Sequence, residues 1–415
     1  MALTPEQLAK IQQKESALPD ALKRDALTNY REGYFFVTLN TRGEAPVLSS
    51  VRGKVDGTGA DAPHCEYTEL GKKVKEVVAS IPSFHPSAEV IDAEIMPEHL
   101  HILLYLKPGG KEHLGKIVGG FMIGCSHAYW NVLGIEYSKA NGGAPPNKSD
   151  YKYTDRDHTR SYRGPALFVR GYNDVEPITP KEVQIKVNYI RDQARKRLIQ
   201  GDHHECFRKY RHQHSRNWTM DRCMQVIMVD RTFRYNAERC KAAQENVRAR
   251  LIADAHGIAL DHMGNKALLC SEKKLPLVCH SADAGRFEEQ KAAVLETART
   301  GWTIVSAFIS PKERDIKQQM MVEGLPFIEV LDNGFSDKYK GMGKAFYALA
   351  ENRLCQITPW TYLYQKDTPV KDGEKKAATI SREMCLVMNE LARVISGRED
   401  DWWKTLGGGN ITSTL

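Results

Sequence analysis

Ala93-Glu94-Ile95-Met96-Pro97-Glu98-His99-Leu100-His101-Ile102-Leu103-Leu104-Tyr105 is the stretch on which the fold of this chain turns. Apolar, β-branched and aromatic residues on both sides of the histidines read as strand. Residues two apart on a strand share a face, so His99 and His101 project together while Leu100, Ile102 and Leu104 point into a core. Glu98 is expected to point away from the imidazoles by the same alternation. Two neutral imidazoles side by side are two-thirds of a divalent-metal site that still needs an oxygen or nitrogen ligand. On its own such a pair is more often two histidines at a sheet edge, and a second segment, about ninety residues on, changes the balance.

That segment runs from Thr179 to Leu198. Thr179 suits an N-cap, Pro180 the first helical position, and Glu182 completes a capping box. Val183, Val187, Ile190, Ala194 and Leu198 recur at spacings of four and three, which is one buried helical stripe. Tyr189 and Gln193, four apart, stand one above the other beside that stripe. A phenol and a carboxamide so stacked can present a nucleophile and a metal ligand to one point. Arg191, Arg195, Lys196 and Arg197 lie within a turn or two, where a polyanion could be held. A tyrosine bordering an amphipathic helix is otherwise a packing residue.

Taken together, Met96-Pro97-Glu98-His99-Leu100-His101-Ile102-Leu103-Leu104, then Gly171-Tyr172-Asn173-Asp174, then Tyr189-Ile190-Arg191-Asp192-Gln193 resemble the single-tyrosine HUH transposases. The pattern looks closest to the REP-associated tyrosine transposases and their insertion-sequence relatives. It covers roughly Tyr34 to Leu198, beginning with a strand at Tyr34–Asn40 and a helix around Leu70–Val78. A strand at Ala88–Glu94 leads into the histidines, and Leu114–Phe121 opens a further helix. The chain departs from the family in having Glu98 where Asn or Asp is usual, and Gln193-Ala194 where Asn-Pro often follows the tyrosine.

The resemblance implies an α+β domain with a ferredoxin-like antiparallel sheet. It implies Mg²⁺ or Mn²⁺ held by His99, His101 and Gln193, with Tyr189 attacking a DNA phosphodiester. A phenol of pKa about 10 is a weak nucleophile, and a Lewis acid on a phosphate oxygen offsets that. The expected product is a 5′-phosphotyrosine that can be passed to another 3′-end without ATP. The implied substrate is single-stranded or hairpin DNA, and the implied assembly a homodimer. Tyr129, in the segment Gly124–Trp130 with His127, is the main rival nucleophile.

At 415 residues, 41% hydrophobic and 27% charged, the composition is that of a globular protein of about two domains. No apolar run is long enough to cross a bilayer, and Met1–Gln7 lacks the charge and apolar core of a signal peptide. Nine cysteines with no Cys-x-x-Cys pair favour reduced thiols over disulfides or structural zinc. A cytoplasmic location without membrane contact is therefore expected. Between Arg191 and Arg250 stand 15 Lys and Arg against 7 Asp and Glu, so this stretch alone contributes +8 while the whole chain carries +7. It also holds His203, His204, His212 and His214, with Phe207, Tyr210, Trp218, Phe233 and Tyr235 interleaved. Basic and aromatic residues so mixed can follow a phosphate backbone and stack bases; a solvated helical connector would look the same.

Further on, Ala267–Cys270, Leu275–Cys279, Trp302–Phe308, Phe327–Leu331 and Leu354–Ile357 read as short buried strands. Helical stretches at Glu288–Thr300 and Lys312–Glu323 alternate with them, which indicates an α/β sheet. This part resembles the Rossmann-like domain of the DNA-processing protein A type, although Ser and Ala stand where its phosphate-loop glycines would be. A scaffold or accessory DNA-binding role is expected for it, with Arg382 and Glu383 on a solvated face.

The combined expectation is an HUH nuclease domain over 1–200, a basic helical connector over 201–260 and a Rossmann-like α/β domain over 261–415. The function is a DNA strand transferase. Three alternatives stand beside it. A replication initiator or relaxase orders its tyrosine and histidines differently. A silent transposase-derived DNA-binding protein has no need of an intact His99, His101, Tyr189 and Gln193 set. A nucleotide-processing enzyme needs a phosphate loop in the second half.

Overall fold

Strand β1 (Gly33–Asn40) alternates as a half-buried strand must, with Phe35, Val37 and Leu39 turned to one face and Tyr34, Phe36 and Thr38 to the other. The computed structural model describes residues 28–133, 166–279, 285–363, 368–369, 375–376 and 380–405. The polar, glycine- and proline-bearing sequence from Ser138 to Tyr162, expected to be a surface loop and holding Tyr151, Tyr153 and Tyr162, and the Ser281–Ala284 stretch, expected to be a turn, lie outside them.

The described residues form two compact units that divide between Ile199 and Gln200, with the strand pair Thr368–Pro369 and Lys375–Lys376 falling with the first. In the first unit, a hairpin of β2 (Ser49–Arg52) and β3 (His64–Tyr67) follows β1, and helix α1 spans Glu69–Phe84. Thr68 caps α1 by accepting from the Gly71 amide at 3.0 Å. A Cβ at Gly71 would collide with the Leu48 carbonyl oxygen, so glycine is what lets α1 approach this closely. Next come β4 (Ala88–Ile95), β5 (His99–Leu106), α2 (Leu114–Val132), β6 (Asn173–Val175) and α3 (Pro180–Arg191). Apart from the inserted hairpin, the order of these elements through β6, among the described residues, is β-α-β-β-α-β. The sheet order is β4-β5-β1-β6, with every neighbouring pair antiparallel.

One face of this sheet is the main core. Leu100, Ile102 and Leu104 of β5 join the inward residues of β1 against Leu70, Val74 and Val78 of α1 and Leu114, Ile117 and Phe121 of α2. Each such side chain is worth about 1.5–3 kcal/mol of burial. The opposite face carries a smaller cluster of Phe36, Leu103, Val187 and Ile190, which seats α3. The expected capping box of Thr179 and Glu182 opens that helix. The helix stops at Arg191 and restarts as α4 (Gln193–Asp202), so the single helix expected through Leu198 is two segments meeting at Asp192.

The second unit is built on a mixed six-stranded sheet. Its parallel part is β11 (Lys274–Pro276), β12 (Thr303–Ser306), β13 (Phe327–Val330) and β14 (Leu354–Thr358). Antiparallel β10 (Leu260–Gly264) and β7 (Lys209–Gln213) extend it beyond β14, and the short antiparallel pair β8 (Ala253–Asp254) and β9 (Gly257–Ile258) precedes β10. β12, β13 and β14 are buried at every residue, as strands covered on both faces are. Among the described strands the parallel four run in chain order with no reversal. The switch point at which doubly wound sheets bind nucleotides is therefore not present in them. The described strands make a mixed α/β sheet, the coarser part of the Rossmann-like expectation. Ala267–Cys270 is not a strand but part of a short helix (Lys266–Cys270), because Asn265 accepts from the Ala267 amide and caps it.

Residues 201–260 are not a free connector. They supply β7 and two helices, α5 (Met220–Val229) and α6 (Ala237–Arg250), to the second unit. Trp218, Met224, Ile227, Phe233 and Val247 pack in one core with Val305, Ile328 and Val387. Phe207, Trp218 and Phe233 are thus buried, and Tyr210 stacks on His262 at 4.7 Å. Only Tyr235 of the interleaved aromatics is largely exposed. Arg382 pairs with Asp230 at 2.8 Å, and Glu383 accepts from Asn246 at 2.5 Å, so both are engaged rather than simply solvated. Trp218→Ala should cost about 3–5 kcal/mol in urea unfolding, while Tyr235→Ala should stay within about 0.5 kcal/mol. Equal, small effects would return this stretch to a loosely attached connector.

Candidate active site

The outer face of the first sheet gathers the residues that the sequence singles out. The pairing of β1 with β5 sets Thr38 opposite His101 and Asn40 opposite His99. Both imidazoles leave β5 on the side that α3 covers, 4.7 Å apart between ring centroids and inclined at 72°. His101 is buried and His99 half-buried. Phe36 stacks on His101 at 5.0 Å.

Tyr189, on α3, completes the group. Its ring lies 5.3 Å from that of His101 at 74°, and 5.6 Å from that of Phe36, edge-on. Phe36 therefore fixes both the buried imidazole and the phenol. Tyr189 is 39% exposed, so its ring is open to a ligand from solvent. Lys196 Nζ stands 5.0 Å from the Tyr189 ring and 3.1 Å from Asp192. Gln193 is buried at the start of α4, and its Nε2 donates to the Tyr189 carbonyl at 3.0 Å. That bond ties the amide to the tyrosine's backbone across the helix break.

Both histidines are held through Nδ1. Thr38 Oγ1 lies 3.0 Å from His101 Nδ1, and Glu98 Oε1 lies 3.3 Å from His99 Nδ1. With Nδ1 protonated and donating, each Nε2 keeps its lone pair for a ligand. Burial, aided by the charges of His99 and Lys186, holds His101 well below its ordinary value of 6.5, so this imidazole is neutral. The hydrogen bond from His99 keeps the Glu98 carboxyl below its usual range against the opposing cost of burial, and Arg197 adds to it. Glu98 does not point away as alternation suggested. It precedes the first residue of β5, where strand parity does not yet apply.

Of the four basic residues expected to meet DNA, three are already paired. Arg191 bonds Asp92 at 2.8 Å, Lys196 pairs with Asp192, and Arg197 grips Glu98 at 3.1 and 3.3 Å. Arg195 is half-buried. Tyr129 packs against the main core on the opposite face of the sheet from the histidines, and the His127 ring lies 4.9 Å from Trp130. Neither joins this group. Thr38, Phe36 and Glu98 are the residues that the sequence reading missed.

The two imidazoles, each with Nδ1 beside a supporting oxygen, form a donor pair that suits a hard or borderline cation, while the bond shown for the Gln193 side chain runs from its Nε2 to the Tyr189 carbonyl. Among the described residues no group of three or more His, Cys, Asp and Glu could hold a metal.

No family model and no curated protein matches the chain. Among solved structures it is similar to a REP-associated tyrosine transposase bound to a REP hairpin. The identity is 12% over 41% of this chain and 72% of that one, with a TM-score of 0.24. It is also similar to a protein of Deinococcus radiodurans R1 provisionally described as a transposase. There the identity is 15% over 41% of this chain and 98% of that one, with a TM-score of 0.22. At such scores the likeness carries no weight. Among the described residues no helix is long and apolar enough to cross a membrane.

Because His101 is depressed in the fold, its contribution to stability is complete above about pH 6.5 and is lost as the pH falls below that value. The unfolding midpoint should drop on acidification from about pH 7.5 to 5, and more steeply in the parent than in His101→Gln. Parallel pH profiles in thermal unfolding would show that His101 is not the group responsible.

Proposed function

We propose that the first unit is a metal-dependent, single-stranded DNA nuclease and strand transferase of the single-tyrosine HUH type, with Tyr189 as nucleophile. The observation that carries this reading is the Tyr189 ring packed against His101, on a face where both histidines are oriented through Nδ1. The β-α-β-β-α-β order with sheet order β4-β5-β1-β6 supports a ferredoxin-like core for it.

His99, His101 and Gln193 would hold Mg²⁺ or Mn²⁺. When bound, such an ion supplies Lewis acidity at a phosphate oxygen. The protein's own residues do the rest. Thr38 and Glu98 fix the imidazole tautomers, and Phe36 fixes the relative position of His101 and Tyr189. The Tyr189 oxygen forms a bond to phosphorus as the bond from phosphorus to the 3′-oxygen breaks. The phenol loses its proton, and the departing 3′-oxygen leaves as a hydroxyl. The resulting 5′-phosphotyrosine is an ester of similar energy, so attack by another 3′-hydroxyl reverses the step and joins strands. Lys196, whose Nζ lies 5.0 Å from the Tyr189 ring, would meet the phosphate's charge.

Tyr189→Phe should abolish a covalent protein–DNA adduct on a labelled single-stranded oligonucleotide with Mn²⁺, and leave DNA binding within about twofold. His99→Ala should remove metal-dependent cleavage. Denaturing gels with 5′- and 3′-labels read which end stays attached. An adduct that persists in Tyr189→Phe would move the nucleophile to another tyrosine.

A further inference from the structure

The turn joining α5 to α6 in the second unit, Asp230-Arg231-Thr232-Phe233-Arg234-Tyr235-Asn236, presents an exposed aromatic ring on a firmly held backbone. Phe233 is buried in the unit's core. The Asp230 carboxylate takes Arg382 Nη2 at 2.8 Å and the Thr232 amide at 2.9 Å. Asn236 Oδ1 accepts from the Arg239 amide at 2.9 Å and caps α6. Between these anchors Tyr235 is 80% exposed, and Met228 and Val229, entering the turn, are more than half exposed. An aromatic ring left in water forgoes a large burial term, and here the backbone is not free to tuck it away.

The surroundings say what would cover it. The Arg234 guanidinium lies 4.4 Å from the Tyr235 ring centroid, and that of Arg239 lies 5.7 Å from Phe233. Arg231, Arg234 and Arg239 are all exposed. Of the two acids between Val229 and Cys240, Asp230 is taken by Arg382, which leaves Glu238. The patch is therefore cationic around one open ring. A ring backed by a guanidinium stacks any unpaired base, and flanking arginines take phosphates without regard to sequence. Duplex bases are already stacked and offer such a ring little.

The geometry points to this turn as a contact for single-stranded DNA, with Tyr235 stacking one base and Arg231, Arg234 and Arg239 holding adjacent phosphates. It rests on the proposed function only in taking DNA as the ligand.

The test uses the full chain and three labelled probes: a single-stranded thymidine oligonucleotide, an abasic strand of equal length, and a duplex. Tyr235→Ala should weaken binding to the thymidine strand about 5- to 100-fold, Tyr235→Trp should retain it, and neither should alter binding to the abasic strand. Arg234→Gln and Arg239→Gln should each lower the log–log salt slope by about 0.7. Unchanged affinity of Tyr235→Ala for the thymidine strand, or equal loss on all three probes, would overturn the stacking contact. At saturating DNA, Tyr235→Ala should still form the Tyr189 adduct. A parent that forms no adduct but shows the Tyr235 effect removes the strand-transfer reading and keeps this contact. An adduct without the Tyr235 effect does the reverse.

Discussion

The antiparallel pairing of β1 with β5 governs the first unit, because one register sets both its core and its polar face. Phe35, Val37 and Leu39 oppose Leu104, Ile102 and Leu100 over the two helices, while Phe36 and Thr38 oppose Leu103 and His101 on the other side. A slip of one residue would turn the apolar set outward and drive the imidazoles into the core. The burial energy of one face thus enforces the alignment of Thr38 with His101 on the other, at no cost to the polar residues themselves. The same face accepts α3 through Val187 and Ile190, one residue away from which Tyr189 projects.

Local periodicity explains what could be read from the chain alone. Alternation across His99–Tyr105 and the spacing of Val187, Ile190 and Ala194 depend on neighbours in sequence, so strand, helix and their buried faces were legible. The partners of the histidines were not. Thr38 meets His101 from sixty-three positions away through a strand register that no local pattern encodes. Phe36 looks like one more apolar strand residue until α3 is seated on it. Glu98 misled because alternation was extended one residue before the strand begins.

In the second unit the limit was of another kind. Trp218, Phe233 and Tyr235 stand among the same arginines, and composition treats them alike. The fold buries the first two and exposes the third, because helices α5 and α6 pack on each other and on the helix Arg382–Ser396, and Trp218 and Phe233 fall in the core they share. Charge-rich sequence can line a core when its cations lie on the outer helix faces. The short run Ala267–Cys270 shows the converse: four apolar residues suit strand or helix, and the Asn265 cap decides for helix.

Arg191, Lys196 and Arg197 meet any incoming polyanion with their charge already answered by Asp92, Asp192 and Glu98. The Arg191 and Arg197 guanidiniums lie towards solvent, and ion pairs open to water hold by only about 0–1 kcal/mol, so an incoming phosphate could displace a carboxylate there by simple exchange, whereas Lys196 and Asp192 are mostly buried. Such a face would act as an ion exchanger rather than a standing positive field, drawing in few anions at long range and trading partners on contact. Where Arg197 is traded away, Glu98 keeps His99 as its remaining partner, and the occupied state would grip that imidazole harder than the empty one.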